Sequence, residues 1–574
     1  MRTRQKQRII IGTLCAIVIG LTVGYAVLSQ TLNIQGIGNI SGHFEILFTK
    51  IEEGKMNEST TIDKQITNTT TATFTIDLKK PSSSGEYFIT VENRGMIDAY
   101  VESIQGLDEA NSTEPIDITF SLEGIEINDK LGAKQSKVFK VKVNWNSNAT
   151  SIPETSKDLT LTINFAQDPN DNPSEIVSDI EEPVIKDGLI PVTYDENGNT
   201  VKADIYGDWY SYENRQWANA VSVTSNSRNE YLIARAGTPV EESDILAYYV
   251  WIPRYRYQLW NVDGFSNEQE IQVEFETITT EKSIGDQNGE WLTHPAFTFG
   301  YEEISGFWFG KFEMTGTKEN PMIKPNQKSL TNLNNKDMFD SIKSMNSETY
   351  GLSMYDSHMI KNMEWGAVAY LTNSKYGKST NGVCEEVWIN NVNTGTGQAN
   401  TEVIWGPTIT GCSGISSSAD VKNNMTSCEI GRDYKQEGVK ASTTGNIYGI
   451  YDLNGGSWER TMASIVSEDG SFLPVESGFL EYPNFKYYDS YLPVNFQYDF
   501  SQGKLGDAMK ETRKSTEPNS NGWYMDYGYY PVISAPWFAR GGNSASTNLS
   551  GVFGVSYSTG IEGSANGSRA VIAP

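Results

Sequence analysis

The stretch whose reading decides the fold is Gly445–Arg460, GNIYGIYDLNGGSWER, taken with the C-terminal run Phe538–Ile572, FARGGNSASTNLSGVFGVSYSTGIEGSANGSRAVI. The first segment crosses a short apolar patch, breaks at Asn454-Gly455-Gly456, and reaches Trp458. Asn and Asp satisfy nearby backbone groups and tolerate positive φ, so the break reads as a turn, and Trp458 reads as a core residue. The second segment opens on Arg540-Gly541-Gly542 and closes on Ser568-Arg569-Ala570-Val571. Inside it, Val552, Phe553 and Val555 predict a buried strand that anchors the tail. The small polar residues around them (Asn543, Ser544, Ser546, Thr547, Asn548, Ser556, Tyr557, Ser558, Thr559) are then expected to face solvent.

Working outward, Ile304–Gly316 reads ISGFWFGKFEMTG, and Lys361–Leu371 carries Met363, Ala367, Tyr370 and Leu371 at helical spacing, with Trp365 and Gly366 between. The blocks 304–316, 361–371, 445–462 and 537–572 come in the order of the formylglycine-generating-enzyme/sulfatase-modifying-factor superfamily, which the chain resembles over roughly residues 187–574. The resemblance implies an α+β, C-type-lectin-like fold. That scaffold hosts both oxidative enzymes and non-catalytic binders, so the fold does not name the function. Enzymes of the family bind copper through a pair of late cysteines, soft ligands that suit Cu(I). The matching region here, Arg540–Arg569, contains no cysteine.

The tail is similar instead to the variable C-terminal region of retroelement-diversified and phage-tail lectin-like proteins, where this face binds the target. Tyr set among Ser, Asn and Gly is also the chemistry of adaptable binding loops. The expected ligand-binding residues are Trp537, Arg540, Asn543 and Tyr557. Two plainer readings stand beside this: a Gly/Ser-rich loop chosen for flexibility, and an Arg540 that pins the turn. Asp452, Asn454 and Glu459 offer oxygen ligands of the kind Ca²⁺ takes, against the turn reading of the same residues; otherwise no cofactor is expected. No G-x-S-x-G, H-E-x-x-H or P-loop pattern occurs.

The rest of the 574 residues sets the context. The length suggests several domains. A net charge of −27 argues against nucleic acid and anionic membrane surfaces as partners. Arg2, Arg4, Lys6 and Arg8 precede the uncharged apolar run Ile9–Leu28, long enough to cross the roughly 30 Å hydrocarbon core. The positive cluster should stay cytoplasmic, which predicts a single-pass anchor over residues 1–30 with everything later outside the cell. A cleaved signal peptide is the alternative, with Gly24–Ser29 as an imperfect site.

Residues 41–167 predict an all-β sandwich. Phe74-x-Ile76-x-Leu78, Tyr87-x-Ile89-x-Val91, Phe139-x-Val141-x-Val143-x-Trp145 and Leu159–Phe165 alternate with period two. The stretch Val91–Val101 loosely resembles camelysin/TasA-type surface proteins. Residues 168–186, acidic with three prolines, predict an extended linker before a domain over 187–574. Cys412 and Cys428 are close enough in sequence to form one extracellular disulfide, leaving Cys384 unpaired. The three scattered histidines make a structural zinc site improbable.

These readings combine into one expectation: a membrane-anchored bacterial surface protein whose C-terminal domain binds an extracellular glycan or protein ligand without catalysis. A metal-dependent oxidoreductase of the sulfatase-modifying kind is the first alternative. A fibre or surface assembly subunit that polymerises through its sandwich is the second.

Overall fold

Period-two alternation between polar and apolar residues can fold only as strands with one wet face, and strands dominate this chain. The computed structural model describes residues 46–68, 71–95, 98–149, 161–167, 182–186, 188–205, 207, 209–392, 406–418, 428, 432–467, 469–471, 473, 476–493, 503–515 and 520–574. The expected anchor Ile9–Leu28 and most of the expected linker lie outside them. No helix among the described residues is long and apolar enough to cross a membrane.

In the first part of the chain, the strand Ser84–Asn93 pairs antiparallel with Ile46–Asn57 on one side and Ser136–Trp145 on the other. Ile118–Glu123 completes this four-stranded sheet. A three-stranded sheet of Lys130–Leu131, Ala99–Gln105 and Thr162–Gln167 faces it. Ile89, Val91, Phe139 and Val141 of the first sheet pack with Ala99, Val101 and Leu131 of the second in one buried cluster. These are the inward positions of the alternating pattern, with Lys140 and Lys142 among the outward ones.

The later part builds a separate, larger core from residues 189–572. Its main sheet has seven strands in the order Thr200–Lys202, Leu189–Tyr194, Asn219–Val223, Ile245–Pro253, Gly306–Gly310, Ala570–Ala573 and Asp356–Met359. The last strand of the chain thus lies between two strands from its middle. Tyr248, Tyr249, Val250, Trp251 and Ile252 are all buried, so this strand is covered on both faces, as its unbroken apolar run requires. Pro253 ends it without ending extended backbone, since Tyr255–Gln258 continues into a small separate sheet.

Helices form at Asn335–Ser344 and, over the stretch Lys361–Leu371 whose spacing predicts one, at Asn362–Thr372. The first is capped by Asn334, whose side chain accepts from the Asp337 amide at 2.8 Å. The second is buried along its whole length. A Cβ on Gly366 would collide with the Gly506 carbonyl, so this glycine lets the helix touch neighbouring backbone. Two further helices, Leu107–Ser112 and Ser225–Ile233, carry no strong helical period and were not expected.

One expectation needs correction here. The last residues of the acidic stretch, 182–186, are docked rather than free: the Trp308 indole donates to the Val184 carbonyl at 2.8 Å, and the Lys186 amide to the Tyr355 hydroxyl at 2.6 Å. The two cores also touch. Arg94 donates to the carbonyls of Leu232, Ile233 and Ala234 at a helix C-terminus, where Lys202 also donates to Leu232.

Candidate functional site

The opening motif and the tail meet in one sheet. The strand Trp458–Ile465 pairs antiparallel with Trp537–Gly541, which pairs in turn with Gly551–Ser558. Glu459 stands opposite Arg540, and Arg540 opposite Val555. Gly455 and Gly456 both hold positive φ, 80° and 63°, and any side chain on Gly456 would strike the Glu313 carboxyl. The turn therefore needs glycine for its backbone and for the acid packed against it.

Behind this turn lies a buried charge cluster. The Arg569 guanidinium clasps both carboxylate oxygens of Glu459 (Nε to Oε2 2.9 Å) and donates to the Gly310 and Tyr451 carbonyls at 2.8 and 2.9 Å. Asp452, at a positive φ of 66°, accepts from the Asn390 amide at 2.8 Å and from the Gly411 backbone. Glu313 accepts from the Ser457 amide through Oε1, while Oε2 has no partner. Burial, reinforced by Glu459 and Asp452, pushes the Glu313 carboxyl well above the usual carboxylate range. One guanidinium thus faces three carboxyls, and the least well bonded of them is the one whose charged form burial disfavours most.

The residues singled out from the sequence divide sharply. Trp537 is fully buried, stacked on Phe479 with ring centroids 5.6 Å apart. Arg540 is fully buried as well. It donates to Gly554, to Asp507, to Ala508, and to the Asn362 side chain at 2.9 Å. Of the two readings of Arg540, the geometry carries the structural one.

Asn543 is 2% exposed and accepts through Oδ1 from the Ala545 amide and the Ser546 hydroxyl. Ser544, Ser546 and Ser550 are buried with it. The solvent-facing reading is thereby corrected for Asn543, Ser544 and Ser546. Gly541 and Gly542 (φ 83° and 77°) fold the loop back on itself, and its short polar side chains bond its own backbone. Asn548 remains exposed.

Tyr557 alone of the four presents substantial surface, 42% exposed, between half-exposed Ser556 and Ser558. Among the calcium candidates, Asp452 and Glu459 are engaged as described, and Asn454 is buried, its amide donating to the Val387 carbonyl at 2.6 Å. No group of three or more acidic, His or Cys side chains among the described residues is placed to hold a metal ion. Cys412 and Cys428 form a disulfide, with Cα atoms 5.7 Å apart, and Cys384 is free.

Trp458, expected in the core, is only half-buried. It faces Tyr527, with centroids 5.7 Å apart, and Tyr527 faces Tyr529 at 5.2 Å. Backbone bonds between Tyr527, Tyr529 and Val555 lay this segment along the Gly551–Ser558 strand. Three partly exposed aromatic rings therefore meet, Tyr527 and Tyr529 beside the outer strand Gly551–Ser558 and Trp458 at the start of an inner one. Sequence reasoning missed Tyr527 and Tyr529 because 69 residues separate Trp458 from Tyr527, and no local period marks them. No protein-family model matches the chain, and no curated protein matches it significantly in sequence.

Proposed function

We propose that this chain is an anchored surface protein whose C-terminal part binds an extracellular glycan or protein without catalysis. The anchor would be the apolar run Ile9–Leu28, and the four motif blocks that resemble the sulfatase-modifying-factor superfamily supply the lectin-like reading of 187–574. The observation that carries the proposal is the row Trp458–Tyr527–Tyr529. Aromatic faces with hydroxyl tips offer large contact area at small conformational cost, and are favoured in binding surfaces for that reason.

Against the oxidoreductase alternative, the chemistry of the thiols is unfavourable. Two are tied in a disulfide. Burial raises Cys384, the one other cysteine among the described residues, above its ordinary value, away from the thiolate that a soft metal requires.

Glycan and protein arrays probed with the full chain test the proposal. Alanine at Trp458, Tyr529 or Tyr557 is expected to weaken an observed hit at least tenfold with the fold intact by circular dichroism. Binding unchanged in all three variants would remove this surface from the function.

A further inference from the structure

The three rings of the binding row leave their polar atoms without internal partners. The Trp458 indole N–H and the Tyr527 and Tyr529 hydroxyls bond to no group among the described residues, and none of these atoms is sealed in the interior as the orphan Trp537 indole N–H is. Backbone bonds fix where the rings stand. The Tyr527 amide donates to the Leu549 carbonyl at 2.8 Å, and the Trp458 amide to the Ala565 carbonyl at 2.9 Å. The first bond sets exposed Asn548 beside Tyr527, and the second belongs to the parallel pairing that puts half-buried Asn566 opposite Trp458. Amide side chains therefore stand next to two of the three rings.

The second observation is electrostatic. The segments that carry or border the rings, 456–458, 527–530, 543–558 and 563–566, contain no Asp, Glu, Lys, Arg or His, although 20% of the chain is charged. Of the charged residues next to them in sequence, Glu459 and Asp526 are buried and Glu562 is exposed. A chain with a net charge of −27 would draw a basic protein partner through surface carboxylates. These segments have none to offer.

An uncharged face suits an uncharged ligand, because desolvating the pair strands no ion. The ligand must also bring an apolar face for the rings and hydroxyls for the amides and phenols. A pyranose ring combines both, with C–H groups on its faces and hydroxyls round its rim. Stacking removes the C–H face and the aromatic face from water together. Amide and phenol groups, which donate and accept, then serve the rim. Ring centroids step by 5.7 and 5.2 Å along the row, with neighbours tilted by 47° and 46°. Such steps follow the advance from one sugar to the next in an extended, equatorially linked chain.

We propose that Trp458, Tyr527 and Tyr529 stack against successive sugars of a neutral, equatorially linked polysaccharide, with Asn548 and Asn566 bonding its hydroxyls. The inference rests on the binding reading above and narrows the ligand from glycan or protein to an uncharged glycan. The test is titration calorimetry on the full chain, in a detergent without a sugar headgroup. Cellohexaose and chitohexaose are the uncharged probes, and hexamannuronate is the charged one. Saturable binding of at least one uncharged probe is expected, with none for hexamannuronate. W458A and Y529A should each weaken it at least tenfold, whereas Y301A, at an exposed tyrosine outside the row, should leave it unchanged. If W458A fails to fold, Y529A carries the test.

Failure of both uncharged probes to bind, binding of hexamannuronate as tight as theirs, or unchanged affinity in Y529A would each overturn the proposal. An arrayed protein that binds through the same rings while both uncharged probes fail would keep the surface-binding reading and overturn the glycan assignment.

Discussion

Two buried acidic groups in the C-terminal core invite comparison. Around Arg569, three carboxyls share one guanidinium that also ties down two backbone carbonyls. Around Tyr524, Glu268 has its lysine, but Asp526 and Glu386 have no cation of their own. Both groups are acidic and both are packed among aromatic rings. What separates them is the placement of positive charge. Where the fold supplies the cation, the cluster holds strands together. Where it does not, burial holds the acids above the usual carboxylate range instead.

The comparison can be broken most forcefully at Arg569. R569M leaves Glu459 buried without its partner, and loss of one member of such a pair costs about 3–5 kcal/mol. Urea unfolding should show that loss, and a change below ~1 kcal/mol would mean that Arg569 is not the clamp described. E459Q keeps one acceptor for Arg569 and removes the charge. A smaller loss of about 2 kcal/mol is expected by the same measurement, the scale of hydrogen bonds to charged groups.

The remaining two predictions have the opposite sign. The folded-state pKa of Glu313 is raised, so its contribution favours the fold below the ordinary value of 4.5 and is lost as pH rises through the folded value. E313Q should therefore stabilise the protein at pH 7 by about 1 kcal/mol or more, and the gain should vanish near pH 4. Urea unfolding at the two pH values reads both. D526N sharpens the contrast further. Asp526 is raised in the same direction by burial, so the amide should give a gain of about 1 kcal/mol at pH 7 in thermal melts. A D526N variant that loses stability at pH 7 would place Asp526 with Glu459, as part of the clamp.

Much of the architecture was legible because it is local. The alternation through Tyr87–Val91 and Phe139–Val143 gave the sandwich strands, and the helical spacing of Met363, Ala367, Tyr370 and Leu371 gave a buried helix. The site was much less legible. Small polar residues at 543–550 look alike whether they face water or their own backbone, and the glycine pair before them, with its positive φ, turned them inward. Trp458 and Tyr527 form a pair that no spacing rule reveals.

The sequence by itself determined the elements: which stretches alternate, which glycines make turns, where the apolar N-terminal run lies, and that the tail lacks cysteine. Those properties belong to neighbours along the chain. The tertiary structure alone decided which charges are neutralised. Arg569 reaches Glu459 across 110 residues, and no basic side chain of the described fold pairs with Asp526. Electrostatic compensation depends on distance in space and on burial, and neither is written in the order of residues.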